Sequence, residues 1–275
     1  MTQKTINNTI EKFHKLSIQV SLNGLSFCIW DSIGNIIIAS ENIIFQKELT
    51  PYAVQKELKT ICEKHNIANK KFADIIVIHR NNLFSIVPKS LFDENELANY
   101  LKFNTKILAN DHVVFDELEN FEMCNVYVPF VNINNYIFEL FGSFIYKHSA
   151  TVMVESLMNN YSGSKNTTCF VHITETQMEL TIMEHKKLLL YNSYEYVTKE
   201  DFMYYLLFTL EQLKMDTEKV VLKLFGAIQK NDDIYNLCSQ YVKDVSLFNP
   251  SDSSFNFELD DSELETIDFT VLSSL

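Results

Sequence analysis

Two stretches of the chain repeat one plan: three short strands, a capped helix and a further strand, first over residues 16–79 and again over 168–226. Leu16-Ser17-Ile18-Gln19-Val20 alternates apolar and polar residues, the pattern of a half-buried strand. Asn23-Gly24 is a hairpin signal. Phe27-Cys28-Ile29-Trp30 returns, Asp31 to Asn35 turns, and Ile36 to Phe45 forms a third strand. Thr50-Pro51 reads as an N-cap with proline at the first helical position. Val54, Leu58, Ile61 and Cys62 then fall on one apolar helical stripe. Phe72 to Ile78 is a nearly continuous apolar run, as expected of a buried parallel strand.

The second copy keeps the order. Cys169 to Ile173, Glu179 to Met183 and Leu188 to Tyr196 are its strands. Thr198, with Asp201 three residues on, predicts a capping box opening a helix whose buried stripe is Phe202, Tyr205, Leu206, Leu210 and Leu213. Lys219 to Phe225 is the next strand, ending at Gly226. Cap and following strand start 22 residues apart in the first copy (50 to 72) and 21 in the second (198 to 219), as duplication requires. The intervening residues predict strands at Leu83–Val87, Val113–Leu118, Val126–Phe130 and Phe144–His148, and helices at Asp93–Phe103, Ile133–Phe141 and Val152–Asn160. A helix at Asp232–Val242 and a strand at Val245–Phe248 close the second copy.

The expected division is a polar arm over 1–15, a first lobe with inserted elements over 16–161, a second lobe over 168–249 and an acidic tail over 250–275. The turn-rich run Tyr161 to Asn166 marks the boundary between lobes. The tail has seven carboxylates, no Lys or Arg, and interleaved Phe, Leu, Ile and Val, a composition that can fold on a partner or pack on its own domain.

Hydrophobic residues make up 47% of the chain, enough for two cores. Five glycines stand where average usage would give about 19. Codon bias accounts for scarce Gly and for the single arginine, Arg80, but cannot fill a loop that needs positive φ. A net charge of −13 argues against nucleic acid and anionic membrane surfaces. Five scattered cysteines without a C-x-x-C pair suit a reducing cytoplasm. The first 15 residues have no apolar signal segment, and no run reaches the roughly 20 apolar residues of a membrane span. Zinc spacings, a Walker loop and G-x-S-x-G are absent from the sequence.

Element order, together with texture such as Lys147-His148-Ser149-Ala150-Thr151, resembles the actin-like ATPase superfamily. More narrowly, the chain is similar to an uncharacterised bacterial domain-of-unknown-function family, DUF3822, over residues 15–250. The resemblance implies an α/β, duplicated actin-like (ribonuclease-H-like) fold: two lobes with five-stranded mixed sheets flanked by helices. It also implies two phosphate-binding hairpins, each near an Asp-x-Gly whose carboxylate positions Mg²⁺ while backbone N–H groups cradle phosphate.

Carried over, the phosphate-facing candidates are Ser21, Asn23, Gly24 and Ser26 in the first hairpin, and Thr174 and Thr176 in the second. Gly226 is what remains of a paired-glycine adenosine loop. Ser21 or Leu22 occupies the first Asp place, and Val171 to Gln177 contains neither Asp nor Gly. Glu175 would face a phosphate with like charge. Strand one also lacks the acids of a ribonuclease-H-like nuclease, offering Ser17, Gln19 and Ser21. The expectation is therefore a catalytically degenerate protein with no catalytic residue, no metal and no cofactor, binding a protein partner through the inter-lobe cleft or the tail. The alternative is a divergent ATP-binding protein or phosphotransferase using Mg-ATP in that cleft.

Overall fold

The computed structural model describes residues 13–103, 105–108, 110–161, 166–249 and 267–275. The polar arm up to residue 12, most of the expected inter-lobe turn (162–165) and tail residues 250–266 lie outside the described residues. Contacts divide the chain into two compact units, one from the described residues of Met1–Met153 and Asn256–Leu275, the other from those of Val154–Phe255.

In the first unit, β1 (His14–Val20), β2 (Gly24–Asp31), β3 (Ile36–Ile44), β4 (Asp74–His79) and β8 (Ile145–His148) form a sheet of order β3-β2-β1-β4-β8. β1 pairs antiparallel with β2 and parallel with β4, so the sheet is mixed. The alternation in β1 sets its faces. Leu16, Ile18 and Val20 enter a core with Val54, Leu58 and Ile61 of α1 (Pro51–Lys64) and with Ile133 and Ile137. Ser17 and Gln19 point to the opposite face, where they too are buried. α1 starts where Thr50 Oγ1 accepts from the Ala53 N–H at 3.3 Å, with Pro51 in its first turn.

Between β4 and β8 lies a second, three-stranded sheet of order β5-β7-β6, from β5 (Phe84–Pro88), β6 (Val114–Leu118) and β7 (Met123–Tyr127). Two details depart from the sequence expectation. The strand expected at Val126–Phe130 starts earlier, because Glu122 adopts a left-handed conformation (φ 54°) that turns β6 into β7, and Pro129 has no N–H to continue pairing. The helix expected from Asp93 begins as a 3₁₀ turn, Glu94–Glu96, before α2 (Leu97–Leu101). Asp93 Oδ1 accepts from the N–H two residues on, Asn95, while the Asp93 N–H donates to the Tyr100 hydroxyl. The side chain of Glu96 accepts from Asn99. α3 (Val131–Phe141) and α4 (Ser149–Tyr161) follow β7 and β8.

The second unit repeats the first sheet. β9 (Thr168–Ile173), β10 (Gln177–Glu184), β11 (Lys187–Glu195), β12 (Val221–Gly226) and β13 (Asp244–Leu247) form the order β11-β10-β9-β12-β13. Cys169, Val171 and Ile173 face Phe202, Leu206 and Leu210 of α5 (Lys199–Gln212) and Cys238 of α6 (Asp233–Tyr241). The expected capping box is present: Thr198 Oγ1 accepts from Asp201 N–H at 3.1 Å, and Asp201 Oδ2 accepts from Thr198 N–H at 3.0 Å.

Among the described residues, no helix is long and apolar enough to cross a membrane. A short helix, α7 (Phe269–Ser273), closes the described chain. Leu58 and Leu206, at 2% and 0% exposure, anchor the two helix–sheet cores. Leu58→Ala and Leu206→Ala are each expected to lower unfolding free energy in urea by about 2–5 kcal/mol. Ile33→Ala in an exposed turn changes it by less than about 0.5 kcal/mol.

Candidate functional site

The turn between β1 and β2 is held by its own polar groups. The Ser21 N–H and hydroxyl both donate to the Gly24 carbonyl, at 3.0 and 3.1 Å, and Ser21 Oγ accepts from the Asn23 N–H at 3.2 Å. The carbonyls of Leu22 and Asn23 accept from Leu49 and Phe45, each at 2.8 Å. Neither Asn23 nor Gly24 has positive φ, so this is not the Asn-Gly turn that the sequence pattern favours. Gly24 opens β2, and a Cβ there would stand 2.5 Å from the Ile43 carbonyl oxygen of β3. The close approach of β3 accounts for this glycine.

The turn between β9 and β10 is built the same way. The Thr174 N–H and hydroxyl donate to the Gln177 carbonyl at 2.9 and 3.2 Å, and Thr174 Oγ1 accepts from the Gln177 N–H at 3.2 Å. The Thr176 carbonyl accepts from Tyr196 N–H at 3.0 Å, as Asn23 does from Phe45. Burial raises the Tyr196 phenol above its ordinary range, and nearby Glu175 adds to the effect. Gly226 lies beside this turn, since β12 runs parallel to β9 with Gly226 opposite Ile173. Its φ is +92°, and a Cβ would stand 2.3 Å from the Ile173 carbonyl oxygen.

Strand register makes the two turns equivalent. Val20 pairs with Leu25 and His79 as Ile173 pairs with Met178 and Gly226. Ser21 therefore corresponds to Thr174, Gln19 to His172 and Ser26 to Glu179. The structure brings Ser21, Asn23 and Gly24 into one turn, and Thr174, Thr176 and Gly226 around the other. Ser26 lies on the sheet face away from α1, opposite Gln19, buried, and its hydroxyl has no partner among the described residues.

On the face of the second sheet away from α5, Glu179 joins His172 Nδ1 at 2.8 Å, both buried, and accepts from the hydroxyl of the half-buried Tyr191 at 2.8 Å. The sequence reads His172 as a strand residue with a cross-strand neighbour, and Glu179 is that neighbour, seven residues on across the hairpin.

The face of the first sheet away from α1 is covered by residues 267–275. Asp268 Oδ2 accepts from Gln19 Nε2 at 3.1 Å and from Arg80 Nη1 at 3.2 Å. The ion pair is buried, at 8% and 10% exposure. Asp268 also caps α7 through the Thr270 N–H at 2.8 Å, and the Thr270 hydroxyl contacts Gln19 Oε1. Ser17 and Ser274 hydroxyls meet at 2.7 Å, and Lys15 Nζ donates to the Leu275 carbonyl at 3.2 Å. Ile267, Val271 and Leu272 pack on Cys28 of β2.

A buried histidine and a half-buried aspartate in the same unit have shifted pKa values. His79 ends β4, and its Nδ1 accepts from Phe130 N–H at 3.2 Å, so Nε2 carries the hydrogen toward Asn134 Oδ1 at 2.9 Å. Burial pushes its pKa down to about 4. Asp116 accepts from the Tyr127 and Thr151 hydroxyls and the His148 N–H, at 3.0, 2.6 and 2.8 Å, anchoring the start of α4. Burial outweighs these bonds and pushes its carboxyl up to about 6. Among the described residues, no group of three or more His, Cys, Asp and Glu side chains is placed to hold a metal ion.

A duplicated mixed five-stranded sheet with one hydroxyl-locked turn per copy defines the class: an actin-like ATPase fold. A crystal structure of a Bacteroides thetaiotaomicron VPI-5482 protein, described as having that fold and unknown function, superposes with TM-score 0.76 over 94% of this chain and 98% of that one, at 21% identity. A structure of the PilM-PilN type IV pilus biogenesis complex superposes with TM-score 0.62 over 94% and 96%, at 12% identity. The sequence profile of the family "Protein of unknown function (DUF3822)" matches residues 3–245, and the chain belongs to that family. Comparison with curated proteins finds no match.

Gly226→Ala forces a side chain into both a left-handed backbone and the Ile173 carbonyl. It is expected to lower stability in urea by about 2 kcal/mol or more. His79, neutral when folded, binds a proton near 6.5 once unfolded. Its contribution is present above that pH and is lost as pH falls toward 4, on the order of 3 kcal/mol. Asp116 acts oppositely: its raised folded pKa costs stability above 6, and that cost is relieved as pH falls toward 3.8. Asp116→Asn removes the relief, so the variant should lose stability more steeply than wild type between pH 6 and 4. Urea melts across that range read the slopes directly.

Proposed function

We propose that this chain is a non-catalytic member of its fold that acts by binding another protein. One observation carries the reading: at both turns where the fold would cradle phosphate, the first residue's hydroxyl and N–H are bonded within the turn. Ser21 locks onto Gly24 and Thr174 onto Gln177. The residues present do not fit a Mg-nucleotide. Ser21 and Leu22 supply no carboxylate for the metal, and Glu175 would repel a phosphate. Gly24 and Gly226 each have a packing reason that needs no ligand.

The similarity to a complex of two pilus-assembly proteins supports a protein partner over a small substrate. A net charge of −13 disfavours nucleic acid. Five buried, unpaired cysteines suit a reducing compartment, and we place the protein in the cytoplasm.

Thermal unfolding with and without millimolar Mg-ATP tests the reading. The expected result is an unchanged midpoint. A ligand at 100 times its Kd would add about 2.7 kcal/mol. A saturable rise in midpoint would establish the competing reading, a divergent nucleotide-binding protein or phosphotransferase.

A further inference from the structure

Residues 267–275 contribute no strand to the first sheet; the order β3-β2-β1-β4-β8 is complete without them. The sheet's other face already has a closed core with α1 and α3. What attaches the segment is a set of side chains on the face away from α1: Lys15, Ser17, Gln19 and Arg80, with Cys28 as an apolar floor. These read particular features of the segment. Arg80, the chain's one arginine, takes the Asp268 carboxylate, while Gln19 takes both Asp268 and the Thr270 hydroxyl. Val271 and Leu272 fill the floor.

A purely structural cover needs apolar area. A buried ion pair adds little net stability but is costly to break on one side, so it discriminates between occupants. The charge match also has a direction. A chain of net charge −13 places its single guanidinium here, against the one carboxylate side chain of the segment, Asp268.

We propose that the face of the first sheet away from α1 is a peptide-docking seat. It is held by the chain's own Ile267–Leu275 and is available to a partner segment of the same pattern: apolar, Asp, apolar, Thr, then two apolar residues. A partner presenting that pattern as a capped helical turn displaces the resident segment and takes over Arg80 and Gln19. The inference rests on the protein-binding role proposed above and names its site. A nucleotide-dependent midpoint shift would remove that role without altering the docking result, and failed docking would leave the nucleotide titration standing.

Cys28 reports the seat. It is buried under Ile267, Val271 and Leu272, and burial pushes its thiol up to about 12, so it reacts only when the segment leaves. Cys62 and Cys124 are buried elsewhere in the same unit and report its unfolding, while Cys169 and Cys238 report that of the second unit.

The experiment alkylates the full chain with iodoacetamide and follows each cysteine by mass spectrometry, in wild type, Asp268→Ala and the milder Thr270→Val. Asp268→Ala is expected to raise Cys28 labelling at least about tenfold, and Thr270→Val less, with the other four cysteines unchanged. Adding a synthetic peptide of residues 266–275 should return Cys28 in Asp268→Ala to near the wild-type rate. The same peptide with Lys in place of Asp should not. Light scattering should find all three proteins monomeric.

Cys62 and Cys124 gaining reactivity together with Cys28 would overturn the proposal, because the segment would then be part of that unit's cooperative core. So would unchanged Cys28 labelling in both variants, or no protection by the peptide. An Asp268-dependent dimer would assign the seat to a second copy instead.

Discussion

The central strand of each sheet is the constraint on which everything else depends. β1 must satisfy an antiparallel neighbour on one side and a parallel one on the other, with Val20 fixed opposite both Leu25 and His79. A slip of one residue would turn Leu16, Ile18 and Val20 away from α1 and bury Ser17 and Gln19 against it. β9 carries the same double obligation through Ile173, Met178 and Gly226. The parallel partner can be reached only through a crossover, which supplies α1 in one copy and α5 in the other. Turns, helix faces and the polarity of the sheet faces turned from α1 and α5 all follow from that register.

Where local chemistry decides the structure, it was readable in the sequence. Thr50-Pro51 and Thr198…Asp201 marked helix starts because a cap is satisfied within four residues. The alternation in Leu16–Val20 gave both the strand and its buried face. Element order and the 22- and 21-residue cap-to-strand spacings matched the two copies, and the resemblance to actin-like ATPases supplied the five-stranded mixed sheets. Failures occurred where one residue overrode a pattern. The left-handed turn at Glu122 and the missing N–H of Pro129 moved a strand, and the Asx-type bond at Asp93 produced a 3₁₀ turn.

The candidate site was legible only in part. Ser21, Asn23, Gly24, Thr174 and Thr176 were picked out as turn residues, and turn residues they are. Gly24 looked like a turn glycine or a remnant of a phosphate loop; its reason is the Ile43 carbonyl, a contact made by a third strand. The last residues of the chain were harder still. Ile267 to Leu272 read as apolar residues amid acids, and the partners of Asp268 stand 188 and 249 positions away, at Arg80 and Gln19. No spacing rule reaches that far.

The burial of the Arg80–Asp268 pair sets how the molecule responds to ionic strength. Exposed pairs such as Lys199–Asp233 and Lys243–Glu218 lie in water, where added salt screens them within a Debye length. Arg80 and Asp268 meet at the N-terminus of α7 with only 8% and 10% of their side chains exposed, so salt screens them much less. Salt that strips the outer pairs also relaxes the mutual repulsion of a chain of net charge −13, yet leaves the cover over the first sheet in place. The cover yields to chemical competition for one carboxylate, and the ionic medium has little hold on it.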